Sequence, residues 1–204
     1  MNLFQEALEK RFGATSIKVH STSNISFSIV TVQSVERKGV TFLMTNGLSA
    51  YEQPTTEKNK AHKHIELVFC LPSYWDLNDD IPTMNWVKTW LNKLGTHLLE
   101  KQTWYGDGHT FANGNPIEPL SPTMKQKYLM LVEPDLFSGE LAPINLENKQ
   151  VHFLCVIPLF EDEFDFKMGK GTFKLKKKLR DKGINELLDD FRMTALKNKW
   201  RIFK

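Results

Sequence analysis

Two cysteines in 204 residues are too few for a disulfide framework, and both, Cys70 and Cys155, sit inside apolar runs, LVFCLP and FLCVIP. A thiol so placed packs as a small hydrophobe and stays reduced, which points to a reducing, cytoplasmic setting. Charge of one sign is also scarce. The 27 Lys and Arg against 24 Asp and Glu leave a formal net charge of +3, short of the concentrated basic excess of phosphate-binding domains. Nucleic acid is therefore not an expected partner. Long apolar runs are missing as well: nothing approaches the ~18 apolar residues of a membrane span. The opening MNLFQEALEKRFG breaks its apolar positions with acids, unlike a signal peptide. Membrane association is not expected either. Repeats and low-complexity linkers are absent, which favours a single domain over 1–204.

What is present is ordinary for a folded chain, with 41% hydrophobic and 25% charged residues. Phe4, Leu8 and Phe12 recur every four residues and predict an N-terminal helix within 1–13, ended by Gly13. From Ser16 to Tyr51 the period becomes two. IKVH, SFSIVTV and VTFLMT read as an antiparallel meander broken by STSN and ERKG. The polar stretch 46–64 reads as a mobile loop. HIELVFCLP has the continuous apolar centre of a strand covered on both faces. Trp86, Trp90, Leu91, Leu94 and Leu98 mark a core-facing helix over about 82–101. KYLMLVEP and VHFLCVIPLF add strands, with Pro72, Pro134 and Pro158 closing the three apolar strands. Segments 65–71, 126–132 and 151–157 are expected at the sheet centre. FKLKKKLRDKG and INELLDDFRM predict a C-terminal helical segment over about 172–200. The fold class is α+β, a mixed, largely antiparallel sheet flanked by helices.

Candidate chemistry concentrates in WYGDGHTFANGNPIEP, residues 104–119. Asp107 and His109 could serve as an acid–base pair only if the turn folded them together with a nucleophile or water. No GxSxG, Cys–His pattern or phosphate loop accompanies them. The structural reading has Gly106, Gly108 and Gly114 supplying backbone angles while Asp107 and Asn113 bond nearby amides. His62 and His64 have strand spacing for a metal, yet lack a third ligand and read as exposed edge histidines; no metal or cofactor is expected. EDEFDF, with Glu161, Asp162 and Glu163, reads as a strand end with one wet face. KLKKKLRDK reads as a solvated helix stripe that could meet an acidic partner. Trp75 and Trp104, in loops, either plug the core or anchor a partner.

ELVFCLPSYWDL, the tryptophan helix, TWYGDGHTFANGNPIEP, YLMLVEPD, VHFLCVIPLFEDEF and GINELLDDF occur in the order and spacing of the Suppressor of fused-like domain. The resemblance covers roughly residues 25 to 192. It implies a mixed sheet with helices packed on it, and a binding protein rather than an enzyme. The animal member restrains a transcription factor; this chain is shorter and resembles compact bacterial members, many regarded as immunity proteins of polymorphic toxin systems. A cognate toxin domain is then the implied partner, with Trp75, Trp104, Asp107, His109, Asn113 and the acids Glu161, Asp162 and Glu163 as contact candidates. The alternatives are an adaptor without a toxin partner and a small hydrolase built on Asp107 and His109. The oligomeric state is open.

The cysteine pattern yields a test. Native protein is expected to show little reaction in a thiol titration, with two thiols appearing on denaturation. Rapid labelling of both in the native state would contradict burial.

Overall fold

A computed structural model describes residues 3–20, 26–54, 60–77 and 82–196. The meander expected after the first helix is present as β1 (Lys18–His20), β2 (Ser28–Gln33) and β3 (Thr41–Asn46), paired antiparallel in sequence order. β4 (His64–Leu71) joins β3 antiparallel. The chain then runs through β5 (Thr110–Ala112), β6 (Tyr128–Val132), β7 (Ile144–Leu146) and β8 (Lys149–Leu159). The spatial order is β1-β2-β3-β4-β8-β6-β5, with β7 forming a hairpin on β8. Among these pairs only β4 and β8 run parallel, from His64↔Val151 to Val68↔Cys155.

Among the described residues four α-helices cover the sheet: α1 (Leu3–Phe12), α2 (Pro82–Lys101), α3 (Glu161–Lys170) and α4 (Thr172–Asp181). Alternation along each strand divides the core into two layers. Val68 and Cys70, with Phe153 and Cys155, face Phe4, Leu8 and Phe12 of α1 and Leu175 and Leu179 of α4. Leu67, Phe69 and Leu71, with Leu154 and Val156, face Trp86, Trp90, Leu91, Leu94 and Leu98 of α2. Each buried side chain of this size stabilises by about 1.5–3 kcal/mol. Gly95 lies on α2 because the ring of Phe27 occupies its side-chain space; a Cβ there would come within 2.5 Å of that ring. Both cysteines are free and fully buried, with their Sγ atoms 4.0 Å apart. Burial, followed by the neighbouring Cys155 thiol, pushes the Cys70 thiol well above its ordinary range.

Several sequence expectations are corrected here. EDEFDF begins α3 rather than ending a strand. Glu161, Asp162 and Glu163 fill its first turn, where the helix dipole favours carboxylates, and Glu163 accepts the Phe160 amide at 3.0 Å. The helix at the C-terminus stops at Asp181. Residues 184–196 contain no regular helix: Leu187 bridges Cys70 of β4, and the Leu188 amide donates to the Cys70 carbonyl at 2.8 Å. Asn185 and Asp189 each accept the amide two residues on, at 2.9 and 3.0 Å, which turns the chain away from helical geometry. The remainder of that expected helix, 197–200, lies outside the described residues, as do STSN and residues 55–59 of the loop. Pro158 does not close its run, since β8 continues to Leu159. The Leu159 carbonyl accepts from Lys127, so Pro158 turns its backbone the other way, where β4 no longer pairs and no ladder donor is needed.

The loop after β3 is held from beneath. Glu66, fully buried in β4, accepts the Gly47 amide at 3.0 Å, the Ser49 amide at 2.9 Å and the Thr45 hydroxyl at 2.5 Å. Burial favours the neutral acid and outweighs these bonds, raising its pKa from 4.5 to about 7. Between those values the folded chain keeps a proton that the unfolded chain has released. Stability from this group is therefore full below about pH 4.5 and falls as pH rises to about 7. Burial lowers the pKa of His109 and His152, which changes stability in the opposite sense at acid pH. The comparison that isolates Glu66 is with Glu66→Gln, which imitates the neutral acid. Chemical denaturation is expected to show the variant gaining on wild type by on the order of 1–3 kcal/mol between pH 5 and 8. A constant difference across that range would contradict the raised pKa.

Candidate functional site

The turn at 104–109 leads into edge strand β5, and its conformation is set by β6. The Gly108 amide donates to the Leu131 carbonyl at 2.7 Å, and the Leu131 amide donates to the His109 carbonyl at 2.8 Å. Gly108 adopts φ +84 and sits against Thr172 at the start of α4, where a Cβ would come within 2.6 Å of the threonine methyl. Any other residue would strain the backbone and collide with that helix.

Asp107 and His109 face different neighbours. Asp107 Oδ1 accepts the Glu133 amide at 3.1 Å and pairs with Lys176 Nζ at 2.8 Å, tying the turn to the end of β6 and to α4. The amide it bonds lies across the strand pair, not beside it in sequence. The His109 ring lies 4.3 Å from the Trp104 ring and 6.3 Å from the Tyr105 ring, between centroids. Burial, with Lys167 nearby, holds the imidazole pKa below its ordinary value, so the ring is neutral near neutral pH. Trp104 and His109 are half-buried and Asp107 is exposed, so the turn presents an aromatic surface beside the Asp107–Lys176 ion pair. Asn113, at the far end of β5, donates its side-chain amide to the Pro119 and Glu118 carbonyls at 2.7 and 3.2 Å.

The acids of α3 divide by depth. Glu161 is exposed and pairs with Lys127 at 2.9 Å, and the Lys127 carbonyl accepts the Asn113 amide, which links α3 to the end of β5. Asp162 accepts the Thr194 hydroxyl at 3.0 and 2.9 Å. Glu163 is fully buried in a two-pronged pair with Arg192, both contacts at 2.7 Å, and also accepts the Ala195 amide at 2.8 Å. Trp75 is 8% exposed, packs against Trp86 on the α2 side and donates its indole N–H to the Met84 carbonyl at 3.3 Å. The structure thus groups Trp104, Asp107 and His109 at one turn. It joins Asn113 to Glu161 through Lys127 and places Glu163 and Trp75 inside the fold.

His62 is buried, not exposed: it lies in the turn before β4, with Nε2 3.2 Å from Glu133 Oε1 and its ring against His152. His64 is half-buried and donates Nδ1–H to the Ser49 carbonyl at 2.9 Å. Among the described residues no three His, Cys, Asp or Glu side chains are arranged to hold a metal ion. No helix among them is long and apolar enough to cross a membrane. Sequence reading missed Lys176, Glu133 and Arg192, the partners that orient the named carboxylates. All three lie distant in sequence, and only the fold brings them near. The pairing of Lys176 with Asp107, Lys177 with Asp181 and Arg180 with Asp135 also neutralises part of the basic run.

A model of the Suppressor of fused protein family matches residues 23–192. Immunity protein YqcF of Bacillus subtilis (strain 168) is 25% identical over 162 residues, spanning 79% of this chain and 78% of the relative. A Suppressor of fused homologue from Neisseria gonorrhoeae FA 1090 superposes with a TM-score of 0.66 at 15% identity, covering 95% of both chains. The Sufu–Fu complex matches with a TM-score of 0.63 at 16% identity, over 94% of this chain and 90% of the other.

The Glu163–Arg192 pair is the sharpest test of this geometry. Arg192→Leu leaves a buried carboxylate without its counter-ion and is expected to cost about 3–5 kcal/mol in denaturant unfolding. Adding Glu163→Gln is expected to recover a large part of that loss. A single-variant cost below about 1 kcal/mol would place the pair in water.

Proposed function

The chain belongs to the Suppressor of fused family, and from that membership we propose that it is a non-enzymatic binding protein, an immunity protein that neutralises a cognate toxin domain in the cytoplasm. The observation that carries the proposal is the match to an immunity protein across about four-fifths of both chains. Geometry at the Gly-Asp-Gly-His turn supports it. A general base needs a partner that orients it, whereas Asp107 is engaged by Glu133 and Lys176, and His109 packs on Trp104. These contacts make the turn a scaffold. Trp104, Asp107, His109, Asn113, Glu161 and Asp162 form its contact face in this reading. Glu163 supports α3 from inside, whereas Trp75 packs in the core against Trp86. The same fold in the Sufu–Fu complex favours one second reading, an adaptor that binds a protein other than a toxin.

A stoichiometric binder and an enzyme differ in titration. A toxin domain, where one is encoded beside this chain, is the reagent. Its inactivation is expected to scale with the molar ratio and saturate near equivalence. Trp104→Ala and His109→Ala are each expected to weaken binding by about 1–3 kcal/mol while leaving that end point unchanged. Progressive inactivation by sub-stoichiometric protein, lost in His109→Ala without loss of binding, would establish catalysis instead. A partner that binds tightly but has no toxic activity would favour the adaptor.

A further inference from the structure

β4 and β8 stay paired as far as Val68 and Cys155 and then part. The carboxyl ends of these two parallel strands line a hollow of about 980 Å³, with Pro72 and Tyr74 on one side and Ile157 and Pro158 on the other. Diverging parallel strands leave a crevice past their carboxyl ends, and open sheets bind ligands there. The segment 184–194 crosses this crevice. It also divides the hollow from a second one of about 590 Å³, and Phe191, Arg192, Met193 and Thr194 line both.

Two apolar side chains of this segment, Phe191 and Met193, project into water beside Tyr74 of the loop after β4, while Leu188 is buried in the core. Phe191 is 78% exposed, Met193 65% and Tyr74 48%. Asp189 accepts the Phe191 amide, Tyr74 donates its hydroxyl to Asp190 at 2.7 Å, and Arg192 is anchored on Glu163 and the Pro158 carbonyl. Single exposed apolar residues are common, but three gathered around one crevice mark an interaction surface. The rim sets the charge of what fits. Glu161, Asp162, Asp165, Asp189 and Asp190 surround the hollows against Lys125, Lys127 and Lys182, while Arg192 is consumed by Glu163. Among the described residues Asp165 and Asp189 form no ion pair. This excess repels nucleic acid and anionic lipid surfaces.

We propose that the hollows on either side of Phe191 and Met193 form a docking site for a segment of a partner protein in which apolar side chains alternate with lysine or arginine. The proposal rests on reading the chain as a protein-binding domain, and adds a second surface with a defined chemistry. Phe191 and Met193 supply apolar anchor contacts, and the rim carboxylates select cationic neighbours.

The test needs no knowledge of the partner. A displayed library of random dodecapeptides is selected on immobilised wild-type protein and counter-selected on Phe191→Ser/Met193→Ser. Both substitutions replace exposed side chains, and a thermal melt matching wild type confirms the variant's fold. Enriched clones are expected to combine aromatic or aliphatic residues with an excess of Lys and Arg. A labelled synthetic copy of the leading clone is expected to bind wild type roughly tenfold or more tighter than the variant by fluorescence anisotropy. Asp165→Asn/Asp189→Asn keeps the side-chain acceptor at 189 and is expected to weaken the same peptide and reduce its salt dependence. Absence of enrichment, enrichment of acidic clones, or equal binding to wild type and either variant would overturn the proposal. A failed toxin titration would leave this result standing, and a failed selection would leave the immunity reading standing.

Discussion

A sheet covered on both faces leaves the loops at its ends with amides that are buried or partly buried, and such amides need acceptors. In this protein the acceptors are glutamates sunk into the fold. Glu66 takes the amides of Gly47 and Ser49. Glu140 takes those of Val35 and Glu36, together with the Ser34 hydroxyl. Glu186 takes those of Asp135 and Phe137, and Glu163 those of Phe160 and Ala195. All four carboxylates are 6% exposed or less. Within the described residues only Glu163 has an ion-pair partner, so amide dipoles and hydroxyls solvate the other three. An unpaired buried carboxylate is costly, and so is an unpaired buried amide; each makes the other tolerable. Asp107 at the Gly-Asp-Gly-His turn repeats the device at the surface, with the Glu133 amide as its donor.

This arrangement explains why the C-terminal segment is structural despite its irregular path. The parting of β4 and β8 leaves the Cys70 carbonyl without a strand partner, and the Leu188 amide satisfies it. Glu186, two residues earlier, reaches the loop after β6, and Arg192 reaches Glu163 on α3. The segment therefore connects β4, the β6 loop and α3 through polar contacts, while Leu188 closes the α2-side core. Leu187 and Ile184 pack on the other face.

The periodic parts of this fold were legible in the sequence. The meander, the core strands and α2 follow from spacing that burial on a sheet or helix enforces, and Trp86 and Trp90 fall where that spacing puts them. Two apolar patterns misled for a physical reason. Phe164 and Phe166 alternate as in a strand, yet on α3 both still touch the core, with Phe164 stacked 4.1 Å from Tyr128. Ile184, Leu187, Leu188 and Phe191 carry helical spacing, but Asn185 and Asp189 divert the backbone and leave Phe191 in solvent. At the turn, glycine chemistry identified a shaped loop, whereas the roles of Lys176, Glu133 and Thr172 depend on contacts between distant elements. The glutamate acceptors gave little warning. A lone acid inside an apolar run, as Glu66 in HIELVF, is the one sequence sign of them.

Loops held by buried carboxylates have little freedom left to lose, and that bears on recognition. Ordering loops and side chains at an interface consumes part of the gross interaction energy of association. Here the turn at 104–109 and the segment at 184–194 are already fixed by Asp107, Glu186 and Glu163. Side chains that project from them, such as Trp104, Phe191 and Met193, meet a partner from a settled backbone. The buried glutamates that hold the frame, Glu163 and Glu186, are different residues from the exposed apolar ones, Phe191 and Met193. Exposed positions such as Phe191 and Met193 can therefore change without disturbing the frame that the glutamates keep.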